Sequence, residues 1–106
     1  MIRWYNKLYT DTLAGKKQKK IRKIIEAGKV SVGVYVIAFA SNSQNLFDIF
    51  SANELLFPHM KRMDHDIIGI AYTREGAIYL LQEIIEEIYH NTGGLDARSY
   101  LKFDEY

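Results

Sequence analysis

The sequence predicts an α+β fold (α/β-like) in which helices pack on one small mixed sheet. Residues 30–40, VSVGVYVIAFA, are rich in β-branched and aromatic side chains, which favours a buried strand. Residues 74–91, REGAIYLLQEIIEEIYHN, repeat apolar residues at helical spacing. Strand-like and helix-like segments succeed one another in the order β-α-β-β-α-β-α. With 48% hydrophobic residues over 106 positions, the chain has enough apolar material for one domain, residues 1–106.

The first half of the chain predicts two strands around one helix. Residues 2–10, IRWYNKLYT, are aromatic and β-favouring, and we interpret them as the first strand. Residues 12–28 predict a helix that ends at a glycine. Its predicted apolar face consists of Leu13, Ile21, Ile24, Ile25 and Gly28.

Residues 46–51, LFDIFS, fit either a strand that returns as a hairpin or a short helix. We favour the strand, because Ser51 and Glu54 match a capping box and leave little room for a helix that ends at Phe50. Pro58 is expected to distort or shorten the helix that follows. A helix at 46–50 would instead indicate a three-layer open α/β sheet, which stays as the alternative.

The second half predicts a strand at 65–73, a long helix at 74–91 and one helical turn capped by Asp96. The chain is expected to fray from about residue 100. The first six elements match the order of a split βαβ sandwich. In either interpretation, helices cover at least one face of the sheet.

Composition excludes several kinds of chemistry. The chain has no cysteine, so disulfides, thiolate metal sites and cysteine nucleophiles are excluded. It has no apolar run of 18 residues and no apolar signal segment at its start, which predicts a cytoplasmic protein with no membrane partner. A phosphate loop at AGKK would need glycine at Thr10 and a hydroxyl residue at Lys17, and no other motif indicates a cofactor.

Charge is segregated along the chain. Residues 16–29 hold seven basic residues and one acidic residue, a local charge of +6, whereas the rest of the chain carries −5. A helix would place four lysines in one stripe, namely Lys16, Lys19, Lys20 and Lys23. This stripe predicts a surface for a nucleic-acid backbone or for a partner protein. No aromatic residue interleaves with the lysines, which favours a solvated or protein-facing surface.

A third partner for the lysine stripe is the protein itself. The long helix predicted at 74–91 carries Glu83, Glu86 and Glu87 on its polar side. The acidic and basic helices would then lie side by side in one fold or meet across a dimer.

Aromatic residues crowd both ends of the chain. Trp4, Tyr5 and Tyr9 lie near the start, and Tyr100, Phe103 and Tyr106 near the end. One interpretation is that both ends pack on the domain. The other is a contact surface between copies, because Trp and Tyr are enriched where proteins meet. The candidate oligomer contact comprises Trp4, Tyr5, Tyr9, Tyr100 and Phe103.

Three segments, GVYVIAFASN, IIGIAYTREGA and EEIYHNTGGLDARSYL, resemble a group of small uncharacterised proteins from Firmicutes. The resemblance would cover nearly the whole length. It implies a compact α/β domain in a cytoplasmic bacterial protein, and it implies no activity and no functional residues.

These observations leave three functional hypotheses. The leading one is a non-catalytic protein-interaction domain that forms a homo-oligomer or binds another protein. The alternative is nucleic-acid backbone binding through the basic helix 16–29. The third is a small enzyme, which a deep pocket lined by Ser41, Asn42 or His65 would favour and a solid surface there would disfavour.

Overall fold

A four-stranded mixed sheet forms the centre of the protein in a computed structural model that describes residues 1–42 and 44–103. Its strands lie in the order β1-β4-β2-β3. The strands are β1 (Ile2–Thr10), β2 (Val34–Phe39), β3 (Phe47–Ser51) and β4 (His65–Tyr72). The predicted hairpin is confirmed, because β3 pairs antiparallel with β2.

Helices cover both faces of this sheet, so the predicted α+β fold is confirmed. The helices are α1 (Thr12–Lys16), α2 (Gln18–Glu26), a 3₁₀ helix (Ala52–Leu56), α3 (Pro58–Lys61), α4 (Arg74–Thr92) and α5 (Ala97–Tyr100). Apolar residues of α4 and α5 form one core with the sheet, and those of α1, α2 and the 3₁₀ helix form the other. Helices on both faces of the sheet therefore give three layers, although residues 47–51 form a strand and not the helix that the alternative required.

Strand directions differ from those of a split βαβ sandwich at the first crossover. β1 is parallel to β4, whereas β2 is antiparallel to both β3 and β4. β1 and β2 therefore run in opposite directions, and the helices between them do not make a parallel crossover. β3 and β4 do run in the same direction, with β2 inserted between them.

Two short helices follow β3, and their starts obey local rules. Ser51 caps the 3₁₀ helix by accepting from the backbone N–H of Asn53 at 3.3 Å, and Glu54 accepts from the N–H of Ser51 at 3.2 Å. Pro58 is the first residue of α3, where its missing N–H costs no helical hydrogen bond. The predicted capping box and the shortening effect of Pro58 are both present.

The single helix predicted over 12–28 is wrong, because the chain breaks between α1 and α2 at Lys17. Asp11 links the start of α1 to the end of β4. One of its carboxylate oxygens accepts from the N–H of Ala14 in α1 at 2.7 Å, and the other accepts from the N–H of Tyr72 in β4 at 3.0 Å. α1 is thereby held so close to β1 that a Cβ at Gly15 would lie 2.8 Å from Thr10 Oγ1.

This close contact also corrects the predicted apolar face. Small residues fit between α1 and the sheet, so Ala14 is buried, whereas Leu13 is 61% exposed. Ile21 and Ile25 are buried as predicted. Gly28 has a φ of 69° just after α2, which suits the end of a helix but leaves the residue exposed.

The edge strand β1 bulges away from its neighbour. Trp4 lies opposite Ile67 and Tyr9 opposite Gly69, so β1 contains three more residues than β4 over this interval. Tyr5 and Tyr9 stack with ring centroids 5.9 Å apart on one face of the sheet. Residues four apart share a face of a regular strand but lie roughly 13 Å apart along it, so the bulge brings the two rings into stacking distance.

The C-terminal segment packs on the domain where the sequence predicted fraying. Leu101 is only 1% exposed, and Phe103 packs against the core beneath α4. Residues 104–106, and with them Tyr106, lie outside the described part of the chain. No helix in the described residues is long and apolar enough to cross a membrane.

Candidate interaction surfaces

The predicted lysine stripe lies on the outer side of α1 and α2. Lys16 ends α1, whereas Lys19, Lys20 and Lys23 lie on α2, so the stripe spans the break at Lys17. Lys17, at the break, is exposed like the four lysines of the stripe. None of these five lysines forms an ion pair with a carboxylate among residues 1–42 and 44–103. We call Lys16, Lys17, Lys19, Lys20 and Lys23 the basic surface.

The acidic helix does not neutralise these lysines within one protomer. α4 packs on the opposite face of the sheet from α2, so the predicted side-by-side arrangement of the two helices is wrong. The sequence could not show this, because each helix has one apolar face and nothing in its period says which face of the sheet receives it.

The outer side of α4 forms a second charged surface. Exposed residues recur at spacings of three and four along the helix, which places them in one stripe. They are Glu75, Tyr79, Gln82, Glu83, Glu86, Tyr89 and His90. We call these seven residues the acidic surface. Tyr89, near the end of this stripe, is 59% exposed.

Glu87 leaves this acidic stripe and faces inward. Its Oε2 accepts hydrogen bonds from the hydroxyls of Tyr9 at 2.6 Å and Tyr100 at 2.9 Å. Asn91 donates to the same Tyr100 hydroxyl at 2.9 Å. Burial and the hydrogen bond to Glu87 raise the pKa of Tyr9. The hydrogen bond to Glu87 likewise raises the pKa of Tyr100, and burial raises that of Tyr5.

Four of the five residues in the candidate oligomer contact pack together around Glu87 inside the protomer, and we call them the tyrosine cluster: Tyr5, Tyr9, Tyr100 and Phe103. Phe103 lies against Tyr5, with ring centroids 5.6 Å apart, and against Phe39 at 5.8 Å. Tyr9 and Tyr100 direct their hydroxyls to Glu87. The cluster joins β1 to α4 and to the C-terminal segment, which favours the interpretation that both chain ends pack on the domain.

Trp4, the fifth residue, lies beside α2. Its Nε1 donates to Glu26 at 2.7 Å, and the Arg22 guanidinium lies 5.1 Å from the centre of its ring. An aromatic ring therefore does lie next to the basic helix, which the one-dimensional pattern of residues 16–29 could not reveal. One face of the Trp4 ring contacts Arg22 and its N–H donates to Glu26, so both groups are engaged within the protomer.

Clefts at one end of the sheet bear on the enzyme hypothesis. A cleft of about 380 Å³ is lined by Ser41 and His65, and one of about 430 Å³ by Ser41 and Asn42. His65 is buried, and its Nε2 lies 2.7 Å from the carbonyl oxygen of Met60. In the described residues, no hydrogen bond links Ser41 to His65. The clefts have the predicted lining but no nucleophile and base in contact.

A methionine-lined cleft escaped the sequence analysis. All three methionines of the chain line a space of about 430 Å³ together with Ile25 and Leu55. Met60 and Met63 are close in sequence, but Met1 is 62 positions from Met63, so no local pattern joins all three. Within residues 1–42 and 44–103, no three His, Asp or Glu side chains are grouped as metal ligands.

Comparisons with known proteins found no matching family model, no similar curated protein and no similar solved structure. The resemblance to small Firmicutes proteins therefore stays a prediction, and the function is argued from the surfaces alone.

Proposed function

We propose that this chain is a non-catalytic protein-interaction domain that associates with itself. One observation carries the proposal: opposite sides of the same sheet present exposed surfaces of opposite charge. The basic surface has five lysines without a carboxylate partner among the described residues. The acidic surface has three exposed glutamates that also lack an ion pair there. Complementary charge between copies speeds association and sets its orientation.

Light scattering over a range of protein concentrations tests this proposal. At low ionic strength, the average mass should exceed that of the monomer and rise with concentration. Added salt should lower the mass, because exposed charges are screened over about 8–10 Å at physiological ionic strength. A monomer at high micromolar concentration and low ionic strength would contradict self-association.

A second candidate function is contact with a nucleic-acid backbone. It is favoured by the spacing of Lys19, Lys20 and Lys23 on the outer side of α2, where all three are exposed. Arg22 covers one face of the Trp4 ring and Glu26 accepts its N–H, so this face and this donor are already engaged and do not serve base stacking. Contact would therefore be made to phosphates, without reading of sequence.

Titration of labelled RNA and DNA at low and moderate salt tests the second candidate. Affinity should fall steeply with salt, since each neutralised phosphate releases counterions. The variant K19Q/K20Q/K23Q should lose binding, whereas K7Q/K61Q/K102Q, which removes three exposed lysines elsewhere, should retain most of it. The hypothesis fails if no binding occurs at low salt or if salt leaves the affinity unchanged.

A further inference from the structure

The basic and acidic surfaces of one protomer face away from each other. Ile21 and Ile25 anchor α2 in one core, and Ile84 and Ile88 anchor α4 in the core on the other side of the sheet. The charged residues lie on the outer side of each helix. Because the sheet separates the two surfaces, a protomer cannot bring them together, and each can pair with a complementary surface only on another molecule.

The two surfaces match in more than charge, because each carries exposed apolar groups among its charges. A cleft of about 180 Å³ beside α2 is lined by Lys17 and Lys20 together with Val30 and Val32, of which Val32 is 85% exposed. This is smaller than the roughly 300 Å³ at which small-molecule pockets begin, and it suits single side chains. On the acidic surface, Tyr79 projects among the glutamates and is 69% exposed.

Ser31, one of the residues that line this cleft, has an unsatisfied side-chain hydroxyl. Ser31 lines the cleft and is buried, and its Oγ has no hydrogen-bond partner in the described residues. Its backbone N–H, in contrast, donates to Asn53 Oδ1 at 2.8 Å. Buried hydroxyls are normally paired. A tyrosine brings an apolar ring for the exposed valines, whereas a phosphate brings no apolar surface for them.

Symmetry decides what such a contact would build. A twofold dimer uses the same patch on both copies, whereas a contact between two different patches is heterologous. Since the two patches point in opposite directions, a copy bound through one still exposes the other. We infer that copies associate head to tail, with the basic surface of one on the acidic surface of the next. This inference rests on the proposed self-association and predicts chains or closed rings larger than dimers.

Two variants, each defective in one surface, test the inference. K19Q/K20Q/K23Q alters the basic surface, and E83Q/E86Q alters the acidic surface. Gln has nearly the helix propensity of Lys and Glu, and all five residues are exposed, so both variants should fold. Sedimentation velocity at low ionic strength should show species beyond the dimer for the wild type and monomers for each variant alone.

Mixing the two variants is the decisive step. Each retains one intact surface, and the intact surfaces are complementary, so an equimolar mixture should form 1:1 heterodimers. Growth should stop there, because both remaining surfaces are altered. The control K7Q/K61Q/K102Q, which removes the same number of exposed lysines elsewhere, should assemble as the wild type does.

Three outcomes overturn the head-to-tail arrangement while leaving self-association intact. The wild type stops at a dimer, either variant alone assembles as the wild type does, or the mixture grows beyond heterodimers. The second outcome would indicate another interface, such as the edge strand β3. A wild type that stays monomeric at low ionic strength would instead refute the proposed function itself.

Discussion

At the scale of single residues, Glu87 connects more of the molecule than any sequence pattern indicated. It lies on α4, yet its Oε2 receives hydroxyls from β1 and from α5. The sequence placed Glu87 with Glu83 and Glu86 on the polar side of the helix. Glu87 meets Tyr9, which is 78 positions away and lies at the β1 bulge, and neither that distance nor the bulge is visible in the local sequence of α4.

Glu87→Gln should destabilise the fold by about 1–2 kcal/mol, since hydrogen bonds to a charged acceptor contribute more than neutral ones. Urea unfolding followed by circular dichroism measures this. Glu86→Gln, one position along and exposed, should leave the free energy of unfolding nearly unchanged. Equal effects of the two substitutions would show that the tyrosine contacts contribute nothing to stability.

The same cluster predicts a loss of stability at high pH. In the unfolded chain, tyrosines titrate near their usual pKa of 10.0, whereas burial and Glu87 raise the pKa of Tyr9 in the folded state. Above pH 10 the folded state therefore binds more protons than the unfolded state, so the free energy of unfolding falls as pH rises. Below pH 10 this contribution is fully present.

Tyr9→Phe should make that fall shallower, because it removes one of the three tyrosines in this cluster whose pKa is raised. Unfolding free energies at a series of pH values from neutral to strongly alkaline provide the measurement. Tyr79→Phe, which removes an exposed tyrosine without a described hydrogen bond, should keep the wild-type dependence. If Tyr9→Phe kept that same dependence, its hydroxyl would not be the group responsible.

At the scale of secondary-structure elements, local signals predicted most of what exists and few of the contacts between elements. The capping box at Ser51 and the cap at Asp96 were predicted correctly, because each acts within a few residues. The break at Lys17 was missed because Asp11 holds α1 through Tyr72, a residue 61 positions away. The strand order could not be predicted from local signals either, since β1 pairs with β4, and the paired residues Arg3 and Asp66 are 63 positions apart.

Gly69→Ala should disturb the contact between β1 and β4. A Cβ at this position would lie 3.1 Å from the carbonyl oxygen of Tyr9 and 3.4 Å from Ile37 Cδ1. Since backbone cannot move aside cheaply, we expect a loss of about 1–3 kcal/mol, as for overpacked cores. Thermal and urea unfolding measure it.

Gly94→Ala is the matched control, because a Cβ there meets nothing within 4 Å. It should change stability by less than about 0.5 kcal/mol, as is usual for surface substitutions. A Gly69→Ala protein as stable as this control would mean that β1 can shift outward without cost.

At the scale of the whole molecule, the charge distribution could be predicted in part. Exposure of the lysines followed from their spacing opposite Ile21 and Ile25, and it is what the structure shows. Their separation from the glutamates could not be predicted, because it depends on which face of the sheet each helix covers. The net charge of the chain is only +1, although the protein carries one basic and one acidic surface on opposite sides.

The basic surface should cost the protomer stability. Lys19 and Lys23 are four positions apart on one helix, and like charges at this spacing destabilise by about 0.2–0.5 kcal/mol. At dilute, monomeric concentrations and low ionic strength, K19Q/K20Q/K23Q should therefore be slightly more stable than the wild type. The difference should vanish in high salt.

Denaturant unfolding at two ionic strengths measures this difference. A variant less stable than the wild type would show that the lysines contribute to the fold itself, through contacts of their methylene stems. In that case the contribution of the lysines to stability would explain their presence, and it would no longer support the proposal that they bind a partner.

The position of β4 has a consequence for how the chain reaches this fold. β4 is the last strand in sequence, yet it lies between β1 and β2. The hairpin β2–β3 can pair as soon as both strands are made, whereas β1 has no neighbouring strand until β4 follows; Arg3 and Asp66, which pair across them, are 63 positions apart. Closing that distance carries a large entropic cost and slows folding. During synthesis, the aromatic strand β1 therefore waits unpaired on the ribosome while most of the chain is still being added.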